Sequence, residues 1–486
     1  MSDLARRAVR GTMAAAVANV VTRAVGFATS LYLMATVAPG DFGVVEYAVA
    51  LLAIASAASN WGFAQAAVHR KERVAETFST FLVLRVAMAA AAVGIVGAVA
   101  IAAPGLLSPH THLGALAALA LATLLEAACE APATRLSRDL RFGRLMAVDI
   151  VSAIAAAIVG LVMGGLGFGL WALVVYRASH IAVRAAGLAL ASRETFLPRF
   201  HPADAAWLFR FGFPLWLGGL ATTWVLKYDD LVVGSMTDAA TLGQYGRAYA
   251  FALVPLALVT GVLTRVSFPL YARLQEDRPR LSEAFRLVSG TTLRLAAPLA
   301  VAIALALPDL LAVLGWTAEW GPMVPMFRWL LVYTLARPLL DDAGGLLTAV
   351  GRPHVTGRTL LAQAAALVVL CPAFTRWRGA EGAAISVGVV VLGGLAVWYG
   401  AFLPQVVDMA WRSMLLSPLL SLALASAAAI AAGATASEPG WGPGLAKLVS
   451  LAAVYVGVLL LLDGRQTMAD VRTLLRHATG SEESRG

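Results

Sequence analysis

Fourteen apolar blocks follow one another along this chain, each long enough to carry a helix across a hydrocarbon layer of about 30 Å and each closed by charges, proline or glycine. They run over 11–38, 43–68, 78–103, 113–132, 145–165, 168–192, 210–234, 241–268, 284–307, 322–349, 356–374, 380–403, 412–434 and 442–462. With 60% apolar and 13% charged residues, a chain of 486 residues has too little polar surface to cover a soluble globule. The chain reads as an all-α integral membrane protein with 14 transmembrane helices.

Lys and Arg in the short loops set the orientation of such a chain. Of the 37 basic residues, 23 fall on the side of the N-terminus, in clusters such as Arg70/Lys71/Arg73 and Arg135/Arg138/Arg141/Arg144, against only Arg376 and Arg378 on the other. That bias predicts both termini in the cytoplasm and a multi-pass protein of the bacterial cytoplasmic membrane. The first helix is expected to be uncleaved, because the apolar run before Ala16-Val17-Ala18 is too short for a signal peptide. A net charge of +9 would suit nucleic acid only if the basic residues formed one patch, and scattered clusters exclude that partner. Cys129 and Cys371 sit inside apolar blocks without histidine or cysteine at ligand spacing, so neither a disulfide framework nor a metal site is expected.

The remaining basic residues lie within or at the ends of the blocks. A charge at mid-membrane costs about 2.5–3.5 kcal/mol, so it needs a polar cavity, a partner or an anionic ligand. Arg23, Arg177, Lys227, Arg294 and Arg337 are the deep ones. Arg337 has Asp341 one turn later with Asp342 beside it, and Lys227 has Asp230 at i+3, so internal pairs are available to both. Arg23 has no acid at such spacing. Arg177, His180 and Arg184 form one stripe on the sixth block, and Arg286, Gly290 and Arg294 another on the ninth. A carboxylate in a low-dielectric cavity can bind H+ or Na+, which makes Asp229, Asp230, Glu126, Glu130, Asp341 and Asp342 the candidates for ion coupling. Asp229 and Asp230 either titrate or pair permanently with Lys227 or Arg247. Glu126 and Glu130 have a second reading as partners of the Arg135 to Arg144 cluster. Pro214, Pro255, Pro298 and Pro338 interrupt four consecutive blocks and are expected to kink them.

A shift of 200 residues lays Pro39-Gly40-Asp41-Phe42-Gly43, with Ala48 and Ala50, over Ala239-Ala240-Thr241-Leu242-Gly243, with Ala248 and Ala250. The offset carries six helices onto the next six and implies parallel repeats about an axis along the membrane normal. The expected divisions are an N-terminal six-helix lobe over 1–200, a C-terminal one over 201–405, two further helices over 406–462 and a cytoplasmic polar tail over 463–486.

Thr22-Arg23-Ala24-Val25-Gly26-Phe27 and Ala38-Pro39-Gly40-Asp41-Phe42-Gly43 are joined by a second set of motifs. That set comprises Arg210-Phe211-Gly212-Phe213-Pro214, Tyr228-Asp229-Asp230-Leu231-Val232-Val233-Gly234, Leu242-Gly243-Gln244-Tyr245 and Arg265-Val266-Ser267-Phe268-Pro269, with Gly351-Arg352-Pro353 after the tenth block. In order and spacing these resemble bacterial polysaccharide repeat-unit flippases of the Wzx type, which read R-x-x-G-F and later G-P-E-D-F-G. The likeness runs from about residue 10 to 360 and departs at Ala28-Thr29 and Ala35-Thr36, where members of that family often carry basic residues.

The resemblance implies two pseudo-symmetric six-helix bundles facing a central cleft plus two C-terminal helices, as in the superfamily of multidrug, oligosaccharidyl-lipid and polysaccharide exporters. It implies alternating access for an undecaprenyl-pyrophosphate-linked oligosaccharide, moved from the cytoplasmic to the outer leaflet for exopolysaccharide, capsule or O-antigen synthesis. No cofactor is expected beyond H+, Na+ or the membrane potential. Expected partners are the lipid-linked substrate, membrane lipids, a polysaccharide polymerase and export machinery. Phosphates and sugars crossing an apolar layer need cations and hydrogen-bonding groups in place of water. Arg23, Lys227, Arg337, Arg177, Arg294 and His180 are the expected substrate-binding residues.

A lipid II flippase is the nearest rival. A multidrug exporter would carry twelve spans and a cavity biased toward acids. A membrane polymerase or ligase would need a nucleophile with a base, a metal cluster or sizeable outer loops; none is legible, so the chain is not expected to be an enzyme.

Overall fold

The structure is a computed structural model that describes the backbone of residues 3–192, 198–434 and 438–479, with side chains throughout except 3–17, 257–258, 260–266 and 465–479. Arg6, Arg7, Arg10, Arg193, the Arg265-Val266 start of one motif and the basic residues of the tail therefore lie outside the described side chains. Among the described residues every regular element is helical.

In chain order the helices are α1 (Asp3–Thr36), α2 (Pro39–Ser59), α3 (Phe63–His69), α4 (Val74–Ala102), α5 (Leu113–Arg138), α6 (Phe142–Gly165), α7 (Leu170–Ser192), α8 (Pro202–Met236), α9 (Ala239–Leu274), α10 (Arg278–Val313), α11 (Thr317–Trp320), α12 (Met323–Ala349), α13 (Pro353–Val397), α14 (Ser417–Gly433) and α15 (Trp441–Thr479). Every apolar block is largely helical, on one or two of these helices and short π-helical or 3-10 extensions. Among the described residues nine helical stretches are long and apolar enough to cross a membrane. The long helices outside those nine are α1, α8, α9 and α12, which carry Arg23, Lys227, Arg247 and Arg337.

Three local differences from the sequence expectation have physical causes. The second block divides at Gly62, whose left-handed backbone (φ 67°) ends α2 and starts α3. The eleventh and twelfth blocks form one assigned helix broken at Arg378 and at Gly379 (φ 58°). The last block does not end near residue 462: after a non-helical Asp463 the chain stays helical to Thr479. The four prolines expected to kink their helices all sit inside continuous helices.

The chain divides into two compact units, residues 1–246 with 367–383, and 247–366 with 384–486. In the first, α6 packs on α1 and α7, α5 on α4 and α7, and α2 on α8. One of its core clusters is aromatic: Phe63, Phe78 and Phe81 are fully buried with Leu208, and Trp61 stacks on Trp216 with ring centroids 4.5 Å apart. Buried Asp204, in the first turn of α8, takes Arg73 at 3.1 Å, Arg70 at 3.5 Å and the Thr77 hydroxyl at 3.2 Å, which fastens the α3–α4 loop to α8. In the second unit α10 packs on α12 and α15, and α14 on α15. Lys447 of α15 meets buried Asp309 of α10 at 2.6 Å.

Gly212 lets α8 pass directly over the α2–α3 break, since a Cβ there would lie 1.9 Å from the Trp61 carbonyl oxygen. A backbone neighbour cannot rotate away as a side chain would. Gly212→Ala is expected to destabilise the protein by about 1–3 kcal/mol, the usual cost of overpacking, read as earlier thermal unfolding of the detergent-solubilised chain.

Candidate functional site

Charges inside apolar helices are held only where something replaces water, so the partners of each deep cation define what the interior can do. In the first unit Arg23 lies on α1 with its side chain exposed. Its Nε donates to the Asn19 amide oxygen at 2.6 Å, and among the described residues no acid pairs with it. One residue earlier, the Thr22 hydroxyl returns to the Ala18 carbonyl at 2.9 Å. Helical spacing thus gives α1 a short polar strip in which the cation keeps its charge uncompensated.

Other cations within the apolar helices of this unit meet carboxylates, on neighbouring helices or on their own. Arg177 on α7 faces buried Glu46 on α2, Nη2 to Oε1 3.5 Å. Arg184, two turns along the same stripe, pairs with Asp149 on α6 at 2.8 Å. Lys227 pairs with Asp230 in its own helix at 2.8 Å, the internal alternative open to it from the sequence. Asp229, only 1% exposed, instead accepts from the Tyr245 hydroxyl of α9 at 2.6 Å. His180 and Arg184 line a cavity of about 250 Å³ with Glu126, Cys129 and Ile181.

Arg85, on α4, escaped the sequence reading although its signal is the one that flagged Arg23: a lone cation inside an apolar block. It is 4% exposed and fully engaged. Its Nε meets Glu130 at 2.5 Å, its Nη1 the Ser59 hydroxyl at 3.0 Å and its Nη2 the Ser56 hydroxyl at 2.9 Å, while Asn60 donates to the second Glu130 oxygen at 3.0 Å. This corrects one expectation: Glu130 pairs with Arg85, not with the Arg135 to Arg144 cluster, in which Arg135 pairs with Asp139 at 3.3 Å. Glu46 and Asp149 were missed too. Each is an isolated acid in an apolar block, complementary to a cation in a block far along the sequence.

In the second unit Arg337 donates to Asp341 at 2.8 Å, as helical spacing allowed. Its neighbour Asp342 turns to hydroxyls, accepting from Tyr271 at 2.9 Å and from Ser289. Arg294, expected on a cavity stripe, is buried: Nη2 contacts Asp463 at 2.8 Å and the Ser413 carbonyl at 3.1 Å, and the Tyr455 hydroxyl donates to its carbonyl at 3.2 Å. A guanidinium so enclosed ties α10 to the break in α15 and offers no face to a ligand. Among the described residues no three His, Cys, Asp or Glu side chains come together as a metal site.

Within the first unit, Arg23 meets an amide and no carboxylate among the described residues, whereas Arg177 and Lys227 hold carboxylates that an incoming anion would have to displace.

A family model described as polysaccharide biosynthesis protein matches residues 35–325. The chain is 26% identical over 301 residues to the succinoglycan biosynthesis transport protein ExoT of Rhizobium meliloti, a match covering 60% of either chain and so less than two thirds of that relative's length. It is 22% identical over 362 residues to the lipopolysaccharide biosynthesis protein WzxC of Escherichia coli, covering 73% of this chain and 72% of the relative. Among solved structures the lipid II flippase MurJ in an inward closed conformation superposes with a TM-score of 0.73 over 93% of this chain and 98% of that one, at 12% identity.

Proposed function

Because the chain belongs to the polysaccharide biosynthesis protein family, we propose that it is a flippase that carries polyprenyl-pyrophosphate-linked polysaccharide repeat units from the cytoplasmic to the outer leaflet. It does so as a 14-span protein of the cytoplasmic membrane, by alternating access between two six-helix bundles, with both termini inside. Arg23 carries the reading: a deep guanidinium balanced only by an amide is poised for a phosphate, and α1 is the first helix of the first repeat. Lys227 and Arg337 receive the cargo by exchange with Asp230 and Asp341. Arg177 does the same against Glu46. Of the six candidate acids, Asp229, Asp342 and Glu126 have no cationic partner among the described residues, and they are where H+ or Na+ would couple.

The likeness to MurJ at 12% identity carries the fold alone, whereas the family match and the sequence relatives support a polysaccharide cargo over lipid II. The test is reconstitution of the full chain in liposomes holding a fluorescent polyprenyl-pyrophosphate oligosaccharide in the inner leaflet. Protein-dependent exposure of the sugar to an external lectin is expected. Transport of lipid II in preference to the oligosaccharide would overturn the assignment. For topology, a reporter fused after Pro109 is expected outside and one after Arg141 inside; the opposite pair would overturn the orientation.

A further inference from the structure

Where α2 and α9 begin, they touch backbone to backbone within the first unit. A Cβ on Gly43 would lie 1.8 Å from the Ala239 carbonyl oxygen, and one on Gly243 would lie 1.9 Å from the Pro39 carbonyl oxygen. The two contacts are reciprocal at an offset of 200 residues, the offset of the sequence repeat. One turn further in, the correspondence is broken: Glu46 matches Gly246, and a Cβ on Gly246 would stand 3.1 Å from the Glu46 Cγ. A carboxylate on one repeat thus lies over a missing side chain on the other. From there Glu46 reaches Arg177.

The same end of the unit is fastened from a third side. The Ser108 hydroxyl donates to the Gly234 carbonyl of α8 at 2.5 Å, and the Ser108 N–H donates to the Tyr47 hydroxyl of α2 at 3.0 Å.

We infer that the crossing of α2 and α9 at Gly43 and Gly243 is the outer seam of the pathway, which parts to release cargo, and that Glu46 is its latch. Under the proposed topology both helix starts lie at the outer face. Two helices that meet through glycine backbones can close without leaving a gap, and at the crossing itself the contact is made by backbone atoms. Glu46 joins this contact to the charged interior, since an anion taking Arg177 removes a partner of the carboxylate directly beneath the seam. Glu46 is in this sense a positioning residue: it acts on the seam through Arg177 and Gly246.

The seam itself can be tested without cargo. In a background with Cys129 and Cys371 replaced by alanine, Ala50→Cys places a thiol on α2 at a buried position, seven residues inward of Gly43 on the same helical face. With the purified full chain in nanodiscs, labelling of that thiol by a polar maleimide is expected to be slow. Gly243→Ala, whose methyl group cannot enter the closed crossing, is expected to speed it at least about tenfold, and Glu46→Gln by about threefold or more. Unchanged labelling in both folded variants would overturn the inference.

A second measurement stands if Gly243→Ala does not fold. Gly40→Cys with Ala240→Cys, joined in cells by a cleavable bifunctional maleimide, is expected to stop polysaccharide export until the linker is cut. Normal export by the cross-linked protein would overturn the seam. The export arm rests on the flippase reading and the labelling arm does not. A seam that opens in nanodiscs while no cargo moves in liposomes would therefore count against the cargo, not the seam.

Discussion

Arg23→Ala is expected to lower oligosaccharide flipping in liposomes by about 10- to 100-fold while the protein still reaches the membrane folded. The magnitude follows from losing one charge-assisted contact to a phosphate, about 1.5–3 kcal/mol, at 1.4 kcal/mol per tenfold. Arg23 pairs with no described carboxylate, so its removal leaves no orphaned acid and the fold has little reason to suffer. Arg23→Lys separates charge from geometry. Lysine keeps the cation but gives up the planar fork, so partial activity is expected if the guanidinium grips a phosphate. Full activity in Arg23→Ala, measured beside a normal unfolding temperature, would remove the residue from the pathway and with it the main support for an anionic cargo.

Arg85→Ala is expected to do the reverse, costing about 3–5 kcal/mol of stability because Glu130 would stay half enclosed without its cation. Thermal unfolding of the purified protein and its abundance in membranes both read this loss. Replacing the pair together, Arg85→Met with Glu130→Leu, is expected to recover much of it, since a buried ion pair is often no better than well-packed apolar groups. If the double variant folds and still flips cargo, Arg85 and Glu130 are scaffold. If it folds and fails, the pair belongs to the transport path, and the separation drawn between Arg23 and the neutralised cations breaks down.

These two arginines also mark how far the sequence could be read. Hydropathy places helical segments because it depends on local composition, and the apolar blocks are helical, though the second is split at Gly62 and the eleventh and twelfth share one helix. Spacing within one helix was equally legible: Arg337 with Asp341 and Lys227 with Asp230 could be foreseen from i+4 and i+3. Pairs between helices were not. Arg177 and Glu46 are separated by 131 residues, and Arg85 and Glu130 by 45, so no periodicity relates them. Arg294 was misjudged for the same reason: its partner Asp463 stands just past the final apolar block, where it looked like the first residue of a tail. The glycine crossing was half visible. The repeat aligned Gly43 with Gly243, but only the fold shows these residues pressed against each other.

The bond from Arg294 to Asp463 gives the break in α15 a reach that hydropathy hides. A deletion ending at Leu462 would keep every apolar block and would look harmless on a topology map. It would nonetheless remove the carboxylate that meets Arg294 in the middle of α10, so truncations that pass Asp463 act as edits to the interior of the second unit.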